Sequence, residues 1–138
     1  MYPFHMAFPV TDLEATRSFY CGILECAQGR EKEGSWLDFD FFGHQMSAHL
    51  KPHGLGASGG DVDGDAVPIP HFGAVMDMES FRNLARKLES SQEVIWILRP
   101  KTRFEGEPGE QATMFIKDPS GNAIEFKGFA DPAGIFAT

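Results

Sequence analysis

Two stretches of this chain follow one plan, and that repetition limits the fold more than any other feature. The first half opens FHMAFPVTDLEATRSFYCGIL and the second PHFGAVMDMESFRNLARKLESS. In the first, Phe4, Met6, Phe8 and Val10 alternate with His5, Ala7 and Pro9, the period of a strand packed on one face. TDLE then supplies a helix start with Thr11 or Asp12 at the cap, and Leu13, Tyr20 and Leu24 line one side of that helix. In the second, Phe72, Ala74 and Met76 alternate with His71, Gly73 and Val75. Asp77 is the cap, and Phe81, Leu84, Ala85 and Leu88 recur at helical spacing. Each half ends in strand-forming segments, SWLDFDFFGHQMSAHLK in the first and EVIWILRP with QATMFIKDPSGNAIEFKGF in the second. DPSGN is a strong turn signal. These patterns predict an α+β fold of paired βαβββ modules forming a curved mixed sheet, with helices on the convex side.

Residues 51–70, KPHGLGASGGDVDGDAVPIP, are rich in Gly, Asp and Pro and show no apolar period. They read as a linker or long surface loop. The expected organisation is a single domain over 1–138: module one at 1–52, linker at 53–69, module two at 70–129 and a tail at 130–138. The chain is long enough to bury a core without staples.

Charge narrows the function. Twelve Lys and Arg face 20 Asp and Glu, a net charge of −8. Phosphate contacts need a basic surface, so a nucleic-acid role is disfavoured, and so is binding to anionic membranes. No apolar run approaches the roughly 20 residues that span a bilayer. The opening MYPFHMAFPV lacks a basic leader pattern and reads as a strand, which predicts a cytoplasmic protein. Cys21 and Cys26 then read as reduced thiols, and no further Cys or His stands close enough for a zinc site built on them. A small-molecule ligand is the remaining expectation.

Strand alternation places four ionisable side chains on the face away from the helices. His5 and His71 lie on the leading strands, and His49 and Glu125 on the closing strands AHLK and IEFK. Ala7, Ser47, Gly73 and Ala123 flank them two residues away and leave room for a cavity. Any one of these, taken alone, reads first as a surface residue. Their matched positions in two repeats point to a metal site of the two-His, one-carboxylate type, open to substrate and suited to Fe(II), Mn(II), Ni(II) or Zn(II). His44 falls at a turn and His53 in the linker, and both read as solvated. Arg103 stands in the Gly/Pro-rich RPKTRFEGEPGEQATMF and can hold a carboxylate in bidentate fashion. The aromatics Trp36 and Phe39 to Phe42 suit either a core or a drug pocket.

FHMAFPVTDLEATRSFYCGIL, HFGAVM and above all FIKDPSGNAIEFKGF resemble the vicinal oxygen chelate superfamily. Its members include glyoxalase I, bleomycin-resistance proteins, fosfomycin-resistance thiol transferases and extradiol dioxygenases. The resemblance implies a glyoxalase-like fold and a divalent metal ion held by His5, His71 and Glu125. His49 is either a fourth ligand or, with Arg103, a catalytic or substrate-contacting group. Two His and one Glu favour extradiol-type dioxygenase chemistry with Fe(II) on a substrate chelated through two oxygens. A glyoxalase-type lyase or isomerase, or a thiol transferase, is the alternative. A metal-free drug-sequestering protein is the third reading, and retention of the His, His and Glu set argues against it. The superfamily also implies a homodimer.

Overall fold

The computed structural model describes residues 2–53, 58–62 and 65–136. The chain forms two compact units, residues 1–56 with 118–122 and residues 57–117 with 123–138.

The first unit contains β1 (His5–Val10), α1 (Leu13–Arg17), β2 (Ala27–Lys32), β3 (Trp36–Phe41) and β4 (His44–Leu50). Its sheet runs β1-β4-β3-β2. β1 lies parallel to β4, and the other pairs are antiparallel. Asp12 caps α1 by accepting the Ala15 N–H at 2.8 Å. After one turn and a half the helix widens into a π-helical stretch, Ser18–Ile23, where the Leu24 N–H reaches back to the Phe19 carbonyl. The wider turns seat Phe19 and Tyr20 against the sheet. Phe8, Tyr20, Phe39 and Phe41 form the core, with Tyr20 stacked on Phe39 at 4.5 Å and Phe8 edge-on to both. Such pairs add about 0.5–1.5 kcal/mol each to the area they bury. Phe39 and Phe41 are therefore core residues.

Two expectations for this unit fail at the start of β1. Phe4 is exposed because the strand begins at His5. His44, expected to be merely solvated, opens β4 and accepts the Phe4 N–H on Nδ1 at 2.8 Å, which fixes where β1 begins.

The turn Asp118–Asn122 belongs to this first unit. Asp118 is buried and accepts four hydrogen bonds: the Tyr20 hydroxyl, the Ser120 and Asn122 N–H groups, and the Asn122 side-chain amide. Asn122 Nδ2 also donates to the Pro9 carbonyl, and the Thr11 N–H donates to Ser120 Oγ. Burial, reinforced by the Asp118 carboxylate, holds the Tyr20 phenol proton well above the ordinary tyrosine range. The unfolded chain releases that proton near pH 10, and the folded chain does not. Stability from this group is thus intact below about pH 10 and declines above it, by up to about 1.4 kcal/mol per pH unit. Urea midpoints at about pH 8 and about pH 11 are expected to fall further apart in the native protein than in Tyr20→Phe. Equal spacing in both would refute this.

The second unit repeats the plan with β7 (Phe72–Asp77), α2 (Met78–Glu89), β8 (Ile95–Arg103), β9 (Gln111–Lys117) and β10 (Ala123–Phe129), after a ribbon of β5 (Ser58–Val62) and β6 (Asp65–Ile69). Its sheet runs β7-β10-β9-β8, the order of the first, with β7 parallel to β10. Asp77 caps α2 through the Ser80 N–H at 2.8 Å. Phe81, Ala85 and Leu88 bury the helix's inner face, each large side chain contributing about 1.5–3 kcal/mol. Gly128 lets α2 approach β10: a Cβ there would stand 2.5 Å from that of Phe81.

The segment 53–69, read as a linker or long surface loop, contains this ribbon, which the sequence reading did not anticipate; residues 54–57 and 63–64 of that stretch lie outside the described ones. β8 is a second difference. The Gly/Pro-rich stretch that holds Arg103 reads as loop beyond the strand segment EVIWILRP, yet the strand continues to Arg103, and the loop begins at Phe104. β8 is an edge strand with register shifts on either side of Leu98, which is where a sheet tolerates proline. Among the described residues no helix is long and apolar enough to cross a membrane, and neither cysteine is in a disulfide.

Candidate functional site

β10 carries Ile124 and Phe126 on its helix face and Ala123, Glu125 and Lys127 on the other. The packed face forces the alternation, so Glu125 points away from α2 although it is 8% exposed. Three side chains meet its carboxylate. Thr113 of β9, fully buried, donates its hydroxyl to Oε1 at 2.7 Å. His71 brings Nε2 to 3.3 Å from Oε2, and Lys127 Nζ lies 3.9 Å from the same oxygen. Gly73 is paired with Glu125, and a Cβ at Gly73 would lie 1.5 Å from the Glu125 carbonyl oxygen. The glycine thus serves close approach of two backbones, more than the open space expected beside His71.

His71 is fixed from behind. Its Nδ1 is 2.8 Å from the Pro68 carbonyl of β6. A carbonyl only accepts, so Nδ1 carries the proton. The ring stands edge-on to Phe115, centroids 5.0 Å apart. In this tautomer the neutral ring turns a lone pair toward Glu125. A lone pair and a carboxylate at 3.3 Å repel; the Lys127 ammonium 3.9 Å from the same oxygen offsets part of this, and a second proton on Nε2 or a bound cation between the two would offset the rest. Two ligand atoms about 2.1 Å from one divalent ion and at right angles stand about 3 Å apart. The pair therefore fits two adjacent ligands of such an ion, with Thr113 and Pro68 as the outer contacts that orient them.

Of the other expected site residues, His5 and His49 belong to the first unit and Arg103 to the second. His5 is an exposed residue at the start of β1, paired with Gln45, while His49 pairs with Pro9. The two are four pairing positions apart, about 13 Å along the strands. Counting from each leading histidine, the register partner in module one of the Glu125 position is Ser47, not His49. Ser47 is buried and donates to Asp38 Oδ1 at 2.5 Å. Arg103 ends β8 with its guanidinium 5.0 Å from the Phe104 ring. Among the described residues no three His, Cys, Asp or Glu side chains gather as a metal-binding group.

A family model described as the Glyoxalase/Bleomycin resistance protein/Dioxygenase superfamily matches residues 3–126. The chain belongs to that superfamily. A solved glyoxalase/bleomycin resistance protein/dioxygenase from Alicyclobacillus acidocaldarius is 30% identical, with a TM-score of 0.79, over 98% of this chain and 96% of that one. A lactoylglutathione lyase from Agrobacterium tumefaciens (17% identity, TM-score 0.67, 99% and 97% covered) shares the fold. So does a glyoxalase/dioxygenase from Nostoc punctiforme (19%, 0.65, 94% and 92%). None of the curated proteins compared with the chain matches it. Within this superfamily member, Thr113 and the Pro68 carbonyl are the contacts that sequence reasoning missed. Thr113 was within reach of it: the DPSGN turn pairs Ala123 with Lys117, which sets Phe115 opposite Glu125 and Thr113 one step diagonally away on the same face.

Proposed function

We propose that this superfamily member is a metal-dependent small-molecule enzyme of extradiol-dioxygenase type. The observation that carries the reading is His71 Nε2, which holds the ring's lone pair when the neutral imidazole donates from Nδ1 to Pro68, facing the Glu125 carboxylate at 3.3 Å. His71, Glu125 and His5 would hold the divalent ion, Fe(II) before Mn(II), Ni(II) or Zn(II). When bound, it supplies a Lewis acid that chelates two adjacent substrate oxygens and, as Fe(II), activates O₂.

The chain's own residues do the rest. Thr113 holds one carboxylate oxygen so that the other is presented to the ion, and Pro68 keeps the His71 proton on Nδ1. Lys127, beside Glu125, adds positive charge where substrate oxygens lose their protons. Arg103 is assigned to a substrate carboxylate. The register separates His49 from His5, so we assign it to proton transfer or substrate contact in place of a fourth ligand. The chain acts as a single domain, in a cytoplasmic homodimer.

Metal analysis of anaerobically purified protein tests this. One ion per chain is expected, with occupancy reduced at least about a hundredfold in affinity by His5→Ala and Glu125→Ala, and about 10–100-fold by Thr113→Val. Full occupancy in both ligand variants would defeat the assignment. Oxygen uptake against a panel of catechols by the Fe(II) protein tests the reaction. Metal without uptake would select the glyoxalase-type lyase, isomerase or thiol-transferase reading, and protein that binds no metal would select drug sequestration.

A further inference from the structure

A cavity of about 340 Å³ opens in the first unit, where β1 and β4 end. Its apolar side chains are Pro9 and Pro52, with Ala7 at the edge, and its polar groups are His49, Lys51 and His53; Phe8 adjoins it, with its ring buried in the core. The local backbone explains the grouping. His49 pairs with Pro9, and the Lys51 N–H donates to the Val10 carbonyl at 2.7 Å, so parallel pairing runs one step past the end of β4. His49 and Lys51 are two residues apart on an extended chain and share a face.

The charge of this lining runs against the rest of the molecule. The chain has 20 Asp and Glu against 12 Lys and Arg, yet among the described residues no acid lines this cavity. Each polar side-chain head among the described lining residues is a nitrogen donor. Each histidine offers an N–H in either charge state, and Lys51 carries a full positive charge. Lys51 has no ion-pair partner among the described residues. A carboxylate can accept from several such donors at once, through the short charge-assisted bonds that such an acceptor favours. The volume lies at the small end of the range for ligand pockets, about 300–1,000 Å³, and suits one ring with its substituent. Pro9 and Pro52 would cover that ring.

We infer that this pocket binds a small organic anion with an apolar body, of the aryl carboxylate class. The inference rests on module one alone and needs no metal.

The test uses the full, metal-free chain labelled with ¹⁵N and titrated with benzoate, and separately with benzylamine, a cation of similar shape. Benzoate is expected to shift the amide signals of Phe8, His49, Lys51 and His53 saturably, while benzylamine leaves them in place. Lys51→Glu should weaken benzoate at least about tenfold, with Lys51→Gln between the two and both spectra otherwise unchanged. Unsaturable shifts, equal response to benzylamine, or undiminished benzoate binding by Lys51→Glu would each overturn the proposal. So would benzoate shifts centred on Trp36 and Asp38, which line a separate groove of about 770 Å³ on the same sheet. Because the protein is metal-free throughout, failure here leaves the metal reading standing, and failure of metal binding leaves this one standing.

Discussion

Gly73→Ala is expected to destabilise the protein by more than about 4 kcal/mol, in the range reserved for main-chain or core disruption. The added methyl carbon would sit 1.5 Å from the Glu125 carbonyl oxygen and 2.5 Å from its carbonyl carbon. Neither atom belongs to a flexible side chain, so nothing can rotate away. Relief requires opening the parallel pairing of β7 and β10 at the position that holds Glu125. Insoluble expression, or a urea midpoint far below the native one, is the expected result. Gly128→Ala makes a useful comparison. Its methyl would meet Phe81 on α2 at 2.5 Å, and a helix can slide, so a smaller loss of about 1–3 kcal/mol is expected. A Gly73→Ala protein that melts within a few degrees of native would show that the two strands are not held this closely.

The second large effect is expected for Asp118→Ala, at about 3–5 kcal/mol. The substitution leaves the Tyr20 hydroxyl, two backbone N–H groups and the Asn122 amide without their acceptor, in a place where Asp118 itself is 1% exposed. An unsatisfied buried donor costs about 1–3 kcal/mol, although chain relaxation keeps the sum below the total of the parts. Asp118→Asn should lie between, since an amide oxygen still accepts while its NH₂ faces other donors. Denaturant unfolding with an unchanged slope and a lowered midpoint would bear this out. A loss under about 1 kcal/mol would mean water replaces the carboxylate.

The features legible in the sequence were those set by local rules. Asp12 and Asp77 announce helix starts because a short carboxylate is the best acceptor for an open first turn. Alternation placed Phe8, Val10, Ile124 and Phe126 under the helices because each sheet buries that face. The same alternation brought His71 and Glu125 to one face, where they meet. What escaped notice depended on distant partners. β5 and β6 draw on a Gly- and Asp-rich segment with little strand preference of its own, and they are strands because they pair with each other. Arg103 looks like a loop residue until β8 is known to run past Pro100 as an edge strand. His49 and Glu125 look equivalent by spelling, AHLK against IEFK, and only the pairing register separates them. Thr113 and the Pro68 carbonyl matter through contacts that no periodicity records.

The first unit is assembled from residues 1–56 and a five-residue piece, 118–122. Its buried tyrosine and the carboxylate that receives it are 98 residues apart. A ribosome adding about 5–20 residues per second delivers Asp118 about 5 s or more after Tyr20. During that interval the nascent amino-terminal half has no acceptor for this hydroxyl, no Asn122 amide for the Pro9 carbonyl and no Ser120 for Thr11. Its aromatic cluster can collapse early, but the half cannot close. The DPSGN turn works as a late keystone: module one is begun first, yet it is completed only when residues 118–122 of the second half have been made.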